Sequence, residues 1–233
     1  MNWRKCFDPS YTIIEIDLEP GEELYAEPGA FIMGSGNYEV ELTLSSSKEE
    51  GLFTSILNAA QRKIAGGESA FFVRYRAIDR TTLFLGPGDS EPGDIIYVPV
   101  QSGIIVKSGK YVAHYGDIQT SIALVYAGYF QVSGDVTWLN LIGNGGAWIS
   151  GKGGLLRIDL APGQTVYVDE EHIVGFSQDI RYDIKLFSDI YGKDKGVIDF
   201  VKKAAKALAT THFSREGVIF RFTGPGSVII QTR

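Results

Sequence analysis

Three histidines, one cysteine and one knot of acidic residues carry most of the reactive chemistry open to this chain. On a β-barrel, a metal site of the cupin type draws two or three histidines and a carboxylate, usually from a closely spaced pair on one strand. His114, His172 and His212 lie far apart in sequence, and none stands two residues from another. Their spacing opposes a metal centre, and no metal or other cofactor is expected. Asp169, Glu170 and Glu171 adjoin His172 in "VDEEHIV", and Glu22, Glu23 and Glu27 occupy a related stretch upstream. A calcium loop alternates its oxygen ligands around a glycine. This string does not, and it reads as a solvated turn. Cys6 follows Arg4 and Lys5, whose charge favours a thiolate, yet no partner completes a catalytic triad.

The glycine-rich run "LIGNGGAWISGKGG" contains neither G-x-x-x-x-G-K-[ST] nor G-x-G-x-x-G, and strands follow it. It reads as two hairpin turns, not a phosphate cradle. No G-x-S-x-G elbow occurs. Aromatic and basic residues interleave in "FFVRYR" and "FRF", as in surfaces that stack RNA bases. Strand alternation sets Arg74 and Arg76 on the face opposite Val73 and Tyr75, so the aromatics are expected to face the core. With 22 Lys+Arg against 28 Asp+Glu, the net charge is −6, which gives no overall attraction to phosphate backbones. General nucleic-acid binding is not expected. No catalytic, cofactor-binding or metal-binding residue emerges.

The elements that would position any site are mostly strands. Short segments such as "YTIIEIDL", "YEVELTL", "DIIYVPV", "TSIALVYAG", "VIFRFTG" and "SVIIQT" are rich in β-branched and aromatic residues and are bounded by Gly, Pro, Asp or Ser. In "YEVELTL", Tyr38, Val40, Leu42 and Leu44 share one face, with Glu39, Glu41 and Thr43 on the other. Two amphipathic helices are expected, in "LFTSILNAAQRKIA" from Leu52 and "GVIDFVKKAAKALA" from Gly196. The lysines of the second would suit a membrane surface, but its alanine-rich apolar face favours packing on the sheet.

One phrase occurs twice: "IDLEPGEELYAEPG" from Ile16 and "IDLAPGQTVYVDEE" from Ile158, with Tyr25 matching Tyr167. A weaker copy runs through "YVPVQSGIIVKSGK". There Gly103 stands where Gly21 does, and Lys107-Ser108-Gly109 matches Glu27-Pro28-Gly29. Three degenerate units follow, at about 11–97, 98–156 and 157–233, within a single domain. Pro20-Gly21, Pro28-Gly29, Gly103 and Pro162-Gly163 are the structural turns, where Pro fixes φ and Gly supplies a positive φ. Gly224-Pro225-Gly226 and "GNGG" are expected to join antiparallel strands. Units too small to bury a sheet face alone must stack. The expected fold is all-β: an antiparallel β-sandwich or double-stranded β-helix-like body of pseudo-threefold character, with two helices on its flank.

A single cysteine excludes an intrachain disulfide and a thiolate metal cluster. "MNWRKCFDPS" lacks the apolar run of a signal peptide, and "SIALVYAGYFQV" is shorter than the ~20 residues a spanning helix needs. A cytoplasmic location is expected.

Together, "LEPGEELYAEPGAFIMGSG", "GGESAFFVRY", "EPGDIIYVPV" and "EGVIFRFTGPGSVIIQTR" resemble the altered-inheritance-of-mitochondria, or mitochondrial-biogenesis, family across nearly the whole chain. The resemblance implies a β-sandwich like that of the tryptophan RNA-binding attenuation protein and a compact homo-oligomer, with a trimer as the candidate number. It carries no catalytic motif. Its eukaryotic branch is tied to mitochondrial inner-membrane organisation. This chain departs from the family in "SGKYVAHYGDI" and "ATTHFSREG". The expected function is that of a non-enzymatic homo-oligomer with a scaffolding or interaction role, its further partner a protein or a membrane surface. A small-ligand or RNA-binding module and a cupin-like metal enzyme are the alternatives.

Overall fold

The computed structural model describes residues 1–43, 72–88, 92–125, 137–186 and 218–233. Both expected helices and His212 fall outside these residues. Within them the regular structure is seventeen strands and one 3-10 turn, so the fold is all-β with antiparallel ladders. The strands are β1 (Asn2–Cys6), β2 (Ile13–Leu18), β3 (Glu23–Ala26), β4 (Phe31–Ser35), β5 (Tyr38–Thr43), β6 (Phe72–Ala77) and β7 (Thr81–Leu85). β8 (Gly93–Val100), β9 (Ile104–Lys107), β10 (Tyr111–Leu124) and β11 (Thr137–Lys152) follow. β12 (Leu155–Leu160), β13 (Thr165–Asp169), the turn Glu170–His172, β14 (Ile173–Ser177), β15 (Arg181–Leu186), β16 (Val218–Thr223) and β17 (Gly226–Gln231) complete the order.

Alternation shapes the strands locally. In β2, Ile14, Ile16 and Leu18 point inward while Glu15 and Asp17 point out to Arg4 and Thr82. Successive side chains leave opposite faces of a strand, so each second residue can be apolar without exposing the core.

One pairing scheme recurs three times. β2-β7-β4 forms one sheet layer and β3-β6-β5 another. Late in the chain, β12-β17-β14 and β13-β16-β15 repeat that order strand for strand. The middle stretch obeys it with longer strands. β8 and residues 111–116 of β10 flank residues 145–152 of β11, while β9 and residues 118–124 flank its first half. A bulge confirms the alignment. The register slips between Phe31 and Met33, between Tyr111 and Ala113, and between Ile173 and Gly175. The second instance of the scheme opens at β8 and the third at β12, the strands that contain positions 97/98 and 156/157.

The turns repeat too. Glu22 N–H donates to the Glu19 carbonyl across Pro20-Gly21, and Gln164 N–H donates to Ala161 across Pro162-Gly163, both at 3.0 Å. Gly21 and Gly163 have φ of +85° and +80°, the left-handed conformation that the third position of a type II turn requires. Gly103 has a similar φ, and Pro28-Gly29 closes with Ala30 N–H on the Glu27 carbonyl at 3.0 Å.

Two turns differ from expectation. Gly224-Pro225 does not close a hairpin: β16 and β17 lie in different sheets, so the chain turns a corner there. "GNGG" is no turn, because β11 continues through it. Gly116 faces Gly145, and Gly143 faces Ile118, between the stretch of β11 that pairs with β9 and the one that pairs with β8. A Cβ on Gly143 or Gly145 would collide with the carbonyl oxygens of Asp117 or Tyr115. Glycine here permits close backbone approach instead of reversing the chain. The second glycine pair, "GKGG", links β11 to β12, which share no ladder.

The core forms three clusters, and each crosses a unit boundary. Ile14, Ile16, Leu18 and Leu83 pack with Ile95, Val112 and Trp148 of the middle unit. Val100, Val106, Leu141 and Ile149 meet Val174 and Ile229. Phe176, Phe222 and Val228 meet Trp138.

Candidate functional site

The residues singled out for chemistry do not converge. His114 sits on β10 and His172 in the 3-10 turn, where its Nδ1 lies 2.8 Å from the Gln231 carbonyl oxygen. Among the described residues no three His, Cys, Asp or Glu side chains gather as a metal site. In the acidic string, Asp169 caps the turn by accepting from Glu171 N–H, while Glu170 is bound to Lys107 Nζ at 2.6 Å. The half-buried Cys6 has its Sγ 3.8 Å from Glu15, and its basic neighbours are committed: Arg4 to Glu15, Lys5 to Asp94 at 2.9 Å. Thr12 Oγ1 joins Lys5 on Asp94, tying the first unit to β8.

His114 is fully buried between the first and second units. Its ring stacks on Tyr25 with centroids 5.0 Å apart and meets Phe72 edge-on. The Tyr111 hydroxyl donates to the Tyr25 carbonyl at 2.9 Å and lies 2.7 Å from His114 Nδ1. With the phenol proton so used, Nδ1 must carry the imidazole hydrogen, which leaves Nε2 as the acceptor without a partner. Burial lowers the imidazole pKa to about 3 and raises the Tyr111 phenol well above its ordinary value. Both stay neutral near pH 7. This network fastens two units together and offers no proton for exchange. Sequence reasoning missed it because Tyr25 on β3 lies 86 residues from Tyr111, which shares β10 with His114.

The arginines of "FFVRYR" are also committed. Arg74 binds Glu23 and Glu41, and Arg76 lies near Glu23 and Glu39. Val73 and Tyr75 lie on the opposite face, beside Leu42 and Val40. Arg221 of "FRF" likewise pairs with Asp183. A ladder of opposite charges across neighbouring strands stabilises the sheet and leaves little positive potential for phosphate.

What the units present instead is a repeated seam. The third strand of one unit pairs with the second strand of the unit before it. β10 meets β3 through Ala113↔Ala26 and His114↔Tyr25. β14 meets β9 through Gly175↔Val106, Phe176↔Ile105 and Ser177↔Ile104. In unit register these are the same pairs. At both seams the third strand is buried: Tyr111, Val112, Ala113 and His114 in one, Ile173, Val174 and Phe176 in the other. The corresponding strand of the first unit is β4. Among the described residues it pairs only with β7, and Phe31, Ile32 and Met33 are 42%, 53% and 52% exposed. Val40 and Leu42 on β5 extend this apolar surface. A monomeric soluble protein seldom leaves so contiguous an apolar patch on a strand edge.

These features define a class: an all-β protein with a recurring strand-pairing scheme, an exposed apolar edge, and Arg74, Arg76 and Arg221 paired to carboxylates. Residues 5–233 match the family described as mitochondrial biogenesis AIM24, and the chain belongs to that family. It is 27% identical over 195 residues to the uncharacterized protein M6_Spy0233 of Streptococcus pyogenes serotype M6, covering 81% of this chain and 77% of that protein. Its fold is shared with the crystal structure of SPYM3_0169 from Streptococcus pyogenes, at a TM-score of 0.67 and 23% identity, over 100% of this chain and 93% of the other. Among the described residues no helix is long and apolar enough to cross a membrane.

Proposed function

We propose that the protein is a non-enzymatic homo-oligomer that serves as a scaffold or interaction platform in the cytoplasm. The observation that carries this reading is the exposed apolar surface of Phe31, Ile32, Met33, Val40 and Leu42. Burying such residues between subunits removes them from water at roughly 25 cal/mol per Å², which favours association. The commitment of Arg74, Arg76 and Arg221 to carboxylates supports an apolar contact over a polyanionic ligand. The neutral, buried His114 supports a structural role for that residue. Light scattering at micromolar concentration tests the reading. An assembly of two or more chains is expected, and a strict monomer would refute it.

A further inference from the structure

The two internal seams show how one unit recognises the next, and among the described residues one half of that seam is unpaired in the first unit and the other half in the third. Resting on the oligomer reading above, we propose that β4 of one copy pairs antiparallel with β13 of a second copy, head to tail, making the seam a third time between molecules. The register follows from the alignment of the units. Gly34 corresponds to His114 and Phe176, and Tyr167 corresponds to Tyr25 and Ile105. The intermolecular pairs are therefore Met33↔Val168, Gly34↔Tyr167 and Ser35↔Val166.

Both edges are ready for it. Among the described residues β4 pairs only with β7, and β13 only with β16. Their free backbone groups supply a ladder, and continuity with the internal seams says what covers them. Tyr167 is 51% exposed and would meet the Tyr38 phenol that covers Gly34, a ring-on-ring contact like that of Tyr25 on His114 in the internal seam. Phe31, Ile32 and Met33 would gain the burial that Tyr111, Val112 and Ala113 already have. Because the two edges differ, the contact is heterologous. It closes into a ring if the rotation per copy allows, and otherwise extends as a filament.

Cross-linking tests the register. In a full-length Cys6→Ser background, Ser35→Cys and Val166→Cys are made separately, mixed and mildly oxidised. The proposal expects a disulfide-linked dimer from the mixture and little from either protein alone. Ile32→Lys and Tyr167→Lys, made separately, are each expected to raise the concentration at which half the protein is assembled by about tenfold or more, as a desolvated charge in a strand seam would. If the wild type assembles but the mixture fails to cross-link and both lysine variants assemble normally, this seam is wrong while the oligomer reading stands. If the Ser35→Cys/Val166→Cys double variant links only within one chain, the units close on themselves and the proposal falls. A monomeric wild type removes both.

Discussion

Lowering the pH should weaken the fold through His114, and replacing that residue should remove the effect. Burial holds the folded imidazole at about 3 against an ordinary 6.5. A depressed histidine pKa means that the unfolded chain takes up a proton the folded chain refuses. The stability it contributes is therefore intact above pH 6.5 and is lost as the pH falls from there toward 3. At pH 5.0 the unfolded histidine is about thirtyfold more often charged than neutral, a ratio worth about 2 kcal/mol in favour of unfolding. At pH 7.5 the same term is close to zero. His114→Phe keeps the stacking on Tyr25 and leaves the Tyr111 hydroxyl on the Tyr25 carbonyl. It loses the bond to Tyr111 but also removes the orphaned Nε2, two effects of about 1 kcal/mol each and opposite sign. Urea unfolding of both proteins at pH 7.5 and 5.0, at one matched concentration, reads the difference. The wild type is expected to lose about 2 kcal/mol more than the variant between the two pH values, an extra midpoint shift of about 1 M urea. Equal losses would refute the buried, neutral histidine.

Phe176→Ala, at a position buried among Trp138, Tyr182 and Phe222, should cost about 3–5 kcal/mol in the same urea assay. Gly116→Ala should destabilise more than Gly29→Ala. Both have positive φ, but a Cβ at 116 would lie 2.5 Å from the Asn144 carbonyl oxygen, whereas one at 29 meets nothing within 4 Å. Gly29→Ala is expected to cost about 1–2 kcal/mol for backbone conformation alone, and thermal melts rank the pair. Labelled single-stranded RNA at low salt should show no mobility shift, because Arg74, Arg76 and Arg221 already face carboxylates. A shift that weakens steeply with salt would contradict that reading.

The parts of this fold that were legible in the sequence are those set by residues close together. Alternation in β2 and the Pro-Gly turns follow from local sterics, and the matched Tyr25 and Tyr167 lie on β3 and β13, which hold the same place in the pairing scheme. The continuity of β11 through "GNGG" was not legible. A glycine pair serves a chain reversal and a close backbone approach alike, and only the partner strand, with Gly116 opposite Gly145, decides between them. The apolar face of β5 was read correctly, yet Val40 and Leu42 remain exposed. Period-two patterning tells which residues share a face, not whether another layer covers it. The His114 network joins Tyr111 to Tyr25 across 86 residues of sequence, a separation over which spacing carries no information.

Hydrogen exchange read by mass spectrometry, as a function of protein concentration, tests the shared seam most directly. Backbone amides in residues 31–35 and 165–169 should be protected when the protein is concentrated and lose that protection on dilution, while residues 104–107 and 173–177 stay protected throughout. Protection of 31–35 and 165–169 that is unchanged by dilution, or absent at every concentration, would contradict the account.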